Sequence, residues 1–239
     1  MREQTHRATH DRPDGKHWGR NSMTEMAESL PVADRLARDI RAMLISGELK
    51  PGQRLSEAAF SERLNVSRNS LREAFRLLTK EGLLQHEANR GVFVSVPSMS
   101  SIIDIYRVRR LIECGALLKA WHLHPAVRTM RQAVEAAKSC RLRSDWQGVG
   151  SANMTFHAAV VDLSDSARLN AFYAGIAAEL RLGFGLLGDP EDLHSPFIDM
   201  NDEIVTLVEN NRSAEAASRM GDYLTLSERV ILKAFEKTL

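Results

Sequence analysis

From residue 31 onward, apolar residues fall at the helical spacing of three and four. Pro31 opens a segment in which Val32, Leu36, Ile40 and Leu44 lie four apart until Ser46-Gly47 stops it, which predicts a first helix. Lys50-Pro51-Gly52-Gln53 reads as a turn. Ser56 can cap a short helix through Ala58, Ala59, Phe60 and Leu64, interrupted at Asn65; Ser67 can cap another that runs from Arg68 through Leu71, Phe75 and Leu78 to about Lys80. Gly82 ends it, and residues 83–86 and 91–96 then flank Glu87-Ala88-Asn89-Arg90 as two antiparallel strands around a polar tip. After Pro97 only helical periodicity remains, with helices expected near 101–122, 126–143, 145–163, 166–187, 199–210 and 213–237. Ile105, Val108, Ile112 and Ala116 form one expected apolar stripe, and Met220, Leu224, Ser227, Ile231 and Ala234 another. Gly183, Gly185 and Gly188 weaken the end of the 166–187 helix, and Asp189-Pro190 restarts the chain at what is either a pocket border or a simple loop.

The order helix, helix, tight turn, helix, hairpin, within about 65 residues, matches a winged helix-turn-helix. The six or seven helices that follow can close one core as an antiparallel bundle. The expected fold is therefore mainly α: an N-terminal winged helix-turn-helix with a small β-hairpin, and a C-terminal all-α antiparallel helical bundle. The expected division is a flexible arm over 1–25, a DNA-binding domain over 26–96, a linker over 97–101, and an effector-binding and dimerisation domain over 102–239.

Composition changes this picture little. A content of 44% hydrophobic and 26% charged residues suggests neither disorder nor a solenoid. The formal net charge of +1 does not advertise nucleic-acid binding, but its distribution is informative: residues 1–96 carry 16 basic and 13 acidic side chains, and the remainder 16 and 18. A positive first part can face phosphate while a slightly acidic second part stays clear of it. Cys114 and Cys140 lack metal-binding spacing and are expected as buried free thiols of a reducing compartment. No apolar run is long enough to span a bilayer and the N-terminus lacks an apolar signal core, so a cytoplasmic protein with no membrane partner is expected.

The candidate chemistry sits after Ser67. Arg68 and Arg72 are one turn apart in the first two turns of the third helix, where a recognition helix enters the major groove, and Asn69 and Ser70 beside them can reach base edges or phosphate oxygens. An arginine can pair bidentately with guanine O6 and N7, and either Arg68 or Arg72 is suited to that task. Taken alone the row is also compatible with a solvated face paired to Glu73 or Glu62; the surrounding turn and hairpin favour DNA. At the hairpin tip, Asn89, Arg90 and Gly91 supply a cation and a flexible residue for a wing on the minor groove or backbone.

These residues carry a resemblance. The run from Ser46 to Glu57 (SGELKPGQRLSE), then Asn65 to Ala74 (NVSRNSLREA), Glu81-Gly82-Leu83 and Asn89 to Val94 (NRGVFV), resembles the GntR family of bacterial transcription regulators. Asp104 to Glu113 (DIYRVRRLIE) with Phe156-His157 resembles the FCD ligand-binding domain of its FadR subfamily, and together the matches cover about residues 30 to 237. The resemblance implies a homodimer on a pseudo-palindromic operator whose DNA affinity changes when a small metabolite, such as an organic acid, occupies the helical domain. It places DNA contacts on Arg68, Arg72, Ser70, Asn89, Arg90 and Gly91. At Ala58, a polar contact made by some relatives is missing.

Many FCD domains hold a divalent metal with one Asp and three His. The matching positions here are Asn153, His157, Asn201 and Tyr223, so one expected ligand survives and no metal or other cofactor is expected. The alternatives are a hydrogen-bonded polar pocket for an effector or groups that satisfy one another in the core. Arg109 is a further candidate effector anchor, since a fixed guanidinium can grip a carboxylate, with Glu113 one turn away as its competing salt-bridge partner. The expectation is a regulator, probed against two rivals: an enzyme, for which no nucleophile and base form a motif, and a metabolite-binding or scaffold protein whose winged domain meets proteins.

Overall fold

The computed structural model describes residues 31–186 and 190–236; the N-terminal arm expected over 1–25 lies outside them. The first helix, α1 (Val32–Ser46), buries Leu36, Ala37, Ile40 and Leu44 and ends on Gly47, whose φ of 77° is the left-handed cap that glycine adopts without strain. Val32, expected on the apolar stripe, stands exposed at the helix start, before the core begins. A short strand β1 (Arg54–Leu55) follows, then α2 (Glu57–Arg63), with Ser56 Oγ accepting the Ala59 N–H, and α3 (Arg68–Lys80), with Ser67 Oγ accepting the Ser70 N–H. Between α2 and α3 the chain turns through Asn65 at φ 51°.

The sheet has three antiparallel strands in the order β1-β3-β2 rather than the two expected. β2 (Leu84–Glu87) pairs with β3 (Gly91–Val94) as Leu84 to Val94 and Glu87 to Gly91, and β1 adds Arg54 opposite Phe93 and Leu55 opposite Val92. Two residues are too few to show alternation, so β1 was hidden within a turn signal. Leu55, Leu84, Val92 and Val94 join Leu71, Phe75 and Leu78 in the first core, which also takes in Ala178 and Leu182 from the helical part.

Ser98 caps α4 (Met99–Arg109), which begins inside the segment expected as a linker. The helix does not run evenly to 122: it passes through a π-helical stretch at Arg110–Cys114 into the short α5 (Gly115–Leu118). The expected stripe is displaced as well. Ile102, Ile105, Tyr106, Arg109, Glu113, Ala116 and Leu117 are buried, while Val108 and Ile112 are only half-buried. The buried line contains an arginine and a glutamate, which apolar periodicity passes over.

The remaining helices are α6 (Pro125–Leu142), α7 (Trp146–Asp162), α8 (Ala167–Phe184), α9 (Pro190–Glu209) and α10 (Ser213–Glu236). α9 starts nine residues before the expected 199, at the Pro190 expected to restart the chain, and holds Pro196 within it; Gly188 and Asp189 lie outside the described residues. The second core gathers Tyr106, Met130, Phe156, Val160, Tyr173, Ile204, Met220, Tyr223, Leu224 and Ile231 from all of these helices and α4. Cys114 and Cys140 are free thiols, half-buried rather than fully buried. No helix among the described residues is long and apolar enough to cross a membrane.

Candidate nucleic-acid interface and effector site

The amphipathic pattern of α3 fixes the direction of its cations. Leu71, Ala74, Phe75 and Leu78 turn into the winged core, which leaves Arg68, Asn69, Arg72, Arg76 and Lys80 exposed on the other side. Arg72 is held by Glu57 of α2 at 2.8 Å, not by Glu62 or Glu73; Glu73 pairs with Arg76. Ser70 is half-buried, and its hydroxyl lies 2.9 Å from Ser67 Oγ inside the helix cap, so it is less available than its neighbours. α3 and the hairpin together bound a groove of about 710 Å³ lined by Arg72, Arg76, Lys80 and His86 among others.

At the wing tip, Asn89 at φ 61° and Gly91 at φ 106° reverse the chain and leave Arg90 exposed. Arg90 pairs with Glu87 and lies over the Phe93 ring, 5.3 Å from its centroid. Sequence reasoning missed Arg54. It is exposed on β1, and its Nε lies 3.6 Å from where a Cβ on Gly91 would stand, which puts a further cation against the wing. Its signal lay in the Gln53-Arg54-Leu55 run, but only pairing with β3 brings it to the tip.

The helical part holds a buried polar network centred on Glu113. Its Oε1 accepts Arg109 Nε at 2.7 Å and the Tyr173 hydroxyl at 2.6 Å, and its Oε2 lies 2.7 Å from His157 Nδ1. The Arg109 guanidinium also rests 5.1 Å from the Tyr106 ring centroid, and the Tyr106 hydroxyl lies 2.5 Å from Ser227 Oγ. Burial alone pushes the Glu113 carboxyl up, but the Arg109 guanidinium and His157 outweigh it and hold it at about 2. His157 is pushed down by burial, with Arg109 adding to the effect against Glu113, so its ring is neutral near pH 7. An ionised carboxylate cannot donate; Nδ1 therefore carries the ring proton and Nε2 is a bare acceptor.

Packed on this network, the His157 and Tyr223 rings meet at 4.8 Å between centroids. Asn153 Oδ1 accepts from Asn201 Nδ2 at 2.7 Å and from the Tyr223 hydroxyl at 3.1 Å. The four positions matching the FCD metal ligands thus do come together, with Arg109 in the same network. Among the described residues, three of the buried atoms here have no hydrogen-bond partner: Arg109 Nη2, His157 Nε2 and Asn201 Oδ1. The donor set does not fit a divalent metal. It offers one imidazole, two neutral amides and a phenol whose ionisation burial makes harder, and no group of three or more His, Cys, Asp or Glu able to hold an ion occurs among the described residues.

Residues 32–94 match the family described as bacterial regulatory proteins, gntR family, and residues 104–226 match the FCD domain. The chain is 31% identical over 145 residues to the Nta operon transcriptional regulator of Aminobacter aminovorans, covering 58% of this chain and 67% of that one. It is 35% identical over 97 residues to the HTH-type transcriptional repressor RspR of Escherichia coli K12, covering 41% of this chain and 42% of the repressor. Among solved structures, a GntR transcriptional regulator from Rhodococcus sp. RHA1 superposes with a TM-score of 0.77 at 34% identity, covering 84% of this chain and 98% of that one. McbR/YncC of E. coli, at 18% identity, shares the fold with a TM-score of 0.74, over 86% of this chain and 99% of its own. The chain belongs to the GntR family of bacterial transcription regulators and joins the winged module to an FCD domain.

Proposed function

We propose that the protein acts in the cytoplasm, without catalytic activity, as a homodimeric repressor. Its two winged modules read the halves of a pseudo-palindromic operator, and its helical domain answers to a small polar metabolite. The observation that carries the DNA reading is the exposed row on α3: Arg68, Asn69 and Arg72 stand opposite the core at the start of a capped helix, with Arg54, Asn89, Arg90 and Gly91 at the wing. The guanidiniums at the helix start suit base edges, and the wing cations suit phosphate or a narrow minor groove. Exposed Leu111 and Leu118, seven residues apart on the π-helical stretch and α5, offer an apolar face for the second copy.

The effector reading rests on the three orphaned atoms around Glu113. Arg109 is already neutralised, so the network favours a ligand of little net charge over a simple carboxylate. It would supply one acceptor to Arg109 Nη2 and hydroxyl or amino donors to His157 Nε2 and Asn201 Oδ1. Footprinting of the DNA upstream of the gene tests the regulator. A protected, two-fold-related segment is expected, with protection lost in Arg68→Ala/Arg72→Ala; equal binding of unrelated DNA by wild type and variant alike overturns it.

A further inference from the structure

A second polar site lies where the winged module meets the helical domain, outside both regions described above. A cavity of about 270 Å³ opens there between Gly47, Lys50 and Pro51 on one side and Trp146, Gln147, Arg181, Phe184 and His194 on the other. Arg181, on α8, is only 8% exposed, yet among the described residues no carboxylate is paired with it. Among the described residues its hydrogen bonds are two long ones from Nη2: 3.5 Å to the Ser46 carbonyl and 3.4 Å to the Gln147 carbonyl. The Ser46 carbonyl is shared further, with Gln147 Nε2 at 3.3 Å and Ser151 Oγ at 3.4 Å. Three donors thus crowd one acceptor, and the junction is short of acceptors.

An arginine does not escape burial by losing its proton, so this guanidinium is a desolvated cation with no counter-ion among the described residues. The local chain is shaped around it. A Cβ on Gly47 would stand 2.9 Å from Nη2, and one on Gly150 would overlap Nη1 and come within 2.8 Å of His194 Nε2. His194 is 5% exposed and meets Phe184 edge-on at 5.4 Å between centroids. Burial, with Arg181 beside it, holds its imidazole down to about 4, so it enters the site as a neutral hydrogen-bonding group. Lys50 stands exposed at the mouth, and Trp146, Phe184 and Leu193 give apolar walls.

We propose that this junction cavity binds a small organic carboxylate, whose planar head pairs with the Arg181 guanidinium and whose apolar body lies against Trp146 and Phe184. A planar carboxylate matches the guanidinium fork. The cavity holds a ligand of roughly a dozen heavy atoms, in keeping with the lower end of small-molecule pockets. Bound there, the anion touches both parts of the chain and stiffens one placement of the winged module on the helical domain.

The test uses full-length protein, thermal unfolding and calorimetric titration, with benzoate as the probe, benzyl alcohol as its neutral counterpart and inorganic phosphate as the alternative anion. Benzoate is expected to bind saturably and raise the Tm, and benzyl alcohol to do neither. Arg181→Met is expected to leave the ligand-free Tm unchanged or higher, because it removes an uncompensated buried cation, and to weaken benzoate at least tenfold. Lys50→Glu, at an exposed position that does not disturb the core, sets a competing carboxylate at the mouth and is likewise expected to weaken benzoate about tenfold. Asn201→Ala, in the Glu113 network, is expected to keep the full benzoate response. The proposal is overturned if benzoate fails to bind, if its effect survives both Arg181→Met and Lys50→Glu, if Asn201→Ala abolishes it instead, or if phosphate alone binds.

Discussion

Replacing Glu113 by glutamine removes a charge on which three buried donors depend. Arg109, at 1% exposure, loses its counter-ion and is left as a desolvated guanidinium, while His157 Nδ1–H and the Tyr173 hydroxyl must share a neutral amide oxygen. Breaking a buried ion pair from one side costs about 3–5 kcal/mol, because the surviving charge stays buried without compensation. For a chain of this length each kcal/mol lowers Tm by about 2–4 °C, so Glu113→Gln is expected to lower it by about 10 °C. Arg109→Met is expected to cost a similar amount, since it leaves the carboxylate buried. The double variant decides whether these are one interaction. With both charges gone neither is stranded, and the remaining cost is that of His157 and Tyr173 sharing one neutral amide oxygen, about 1–3 kcal/mol. The double variant should therefore be about 2 kcal/mol or more stabler than the sum of the single losses. Urea unfolding at pH 7, followed by far-UV circular dichroism, measures all four proteins. Single losses below about 1 kcal/mol, or additivity within about 0.5 kcal/mol, would refute the view that the charge pair organises this core.

The same carboxylate gives a pH signature. Its folded value of about 2 lies below the ordinary 4.5, so its stabilisation is complete above about 4.5 and is lost as pH falls toward 2; Tm of the wild type should fall more steeply across that window than Tm of Glu113→Gln, and parallel curves would contradict this. On DNA, Arg72→Ala should weaken operator binding by about 1–3 kcal/mol in a mobility shift, while Glu57→Gln, which frees Arg72 from its 2.8 Å partner, should tighten it no more than about fivefold; tightening by Arg72→Ala would reverse the assignment. Restoring the ligand types with Asn153→Asp, Asn201→His and Tyr223→His should create zinc binding, read as a chelator-reversible rise in Tm, because Glu113 already orients His157 as a metal-bound histidine is oriented; no response to zinc would mean that the four positions do not converge as described. Leu111→Asp combined with Leu118→Asp should shift a sedimentation profile from dimer to monomer, and an unchanged dimer would place the interface elsewhere.

Which parts of this were legible in the sequence follows from how much each residue depends on distant ones. The α3 cations were legible because cap, buried face and exposed face all lie within one short segment: Ser67 starts the helix, and Leu71, Phe75 and Leu78 orient it. Arg54 was not, since its place beside Gly91 comes from pairing two strands almost forty residues apart. The stripe on α4 was misplaced for a different reason. Its core positions at Arg109 and Glu113 are polar, and their partners are each other and His157 and Tyr173 from α7 and α8. A period count that scores apolar residues slides to Val108 and Ile112, one position off the buried line. The junction site lay beyond reach because Gly47, Gly150, Arg181 and His194 come from four separate segments, none unusual by itself.

Seen together, the two polar sites share one helix. Tyr173 on α8 donates to Glu113 at the centre of the bundle, while Ala178 and Leu182 on the same helix belong to the winged core and Arg181 reaches the Ser46 carbonyl at the end of α1. The eight steps from Tyr173 to Arg181 span about 12 Å at 1.5 Å per residue, so one rigid rod joins the Glu113 network to the end of α1 in the winged module. On the effector reading proposed above, a ligand that weakened the Tyr173–Glu113 hydrogen bond would loosen one end of that rod, and an anion at Arg181 would fasten the other. Effects at two ends of one rigid element couple through the free-energy difference between its two placements. Tyr173→Phe cuts the attachment at Glu113 while leaving the DNA-facing residues and Arg181 in place, and should therefore shrink the change in operator affinity caused by a saturating effector while leaving ligand-free operator binding within about threefold of wild type. If the effector response survives intact in that variant, the signal does not travel along α8.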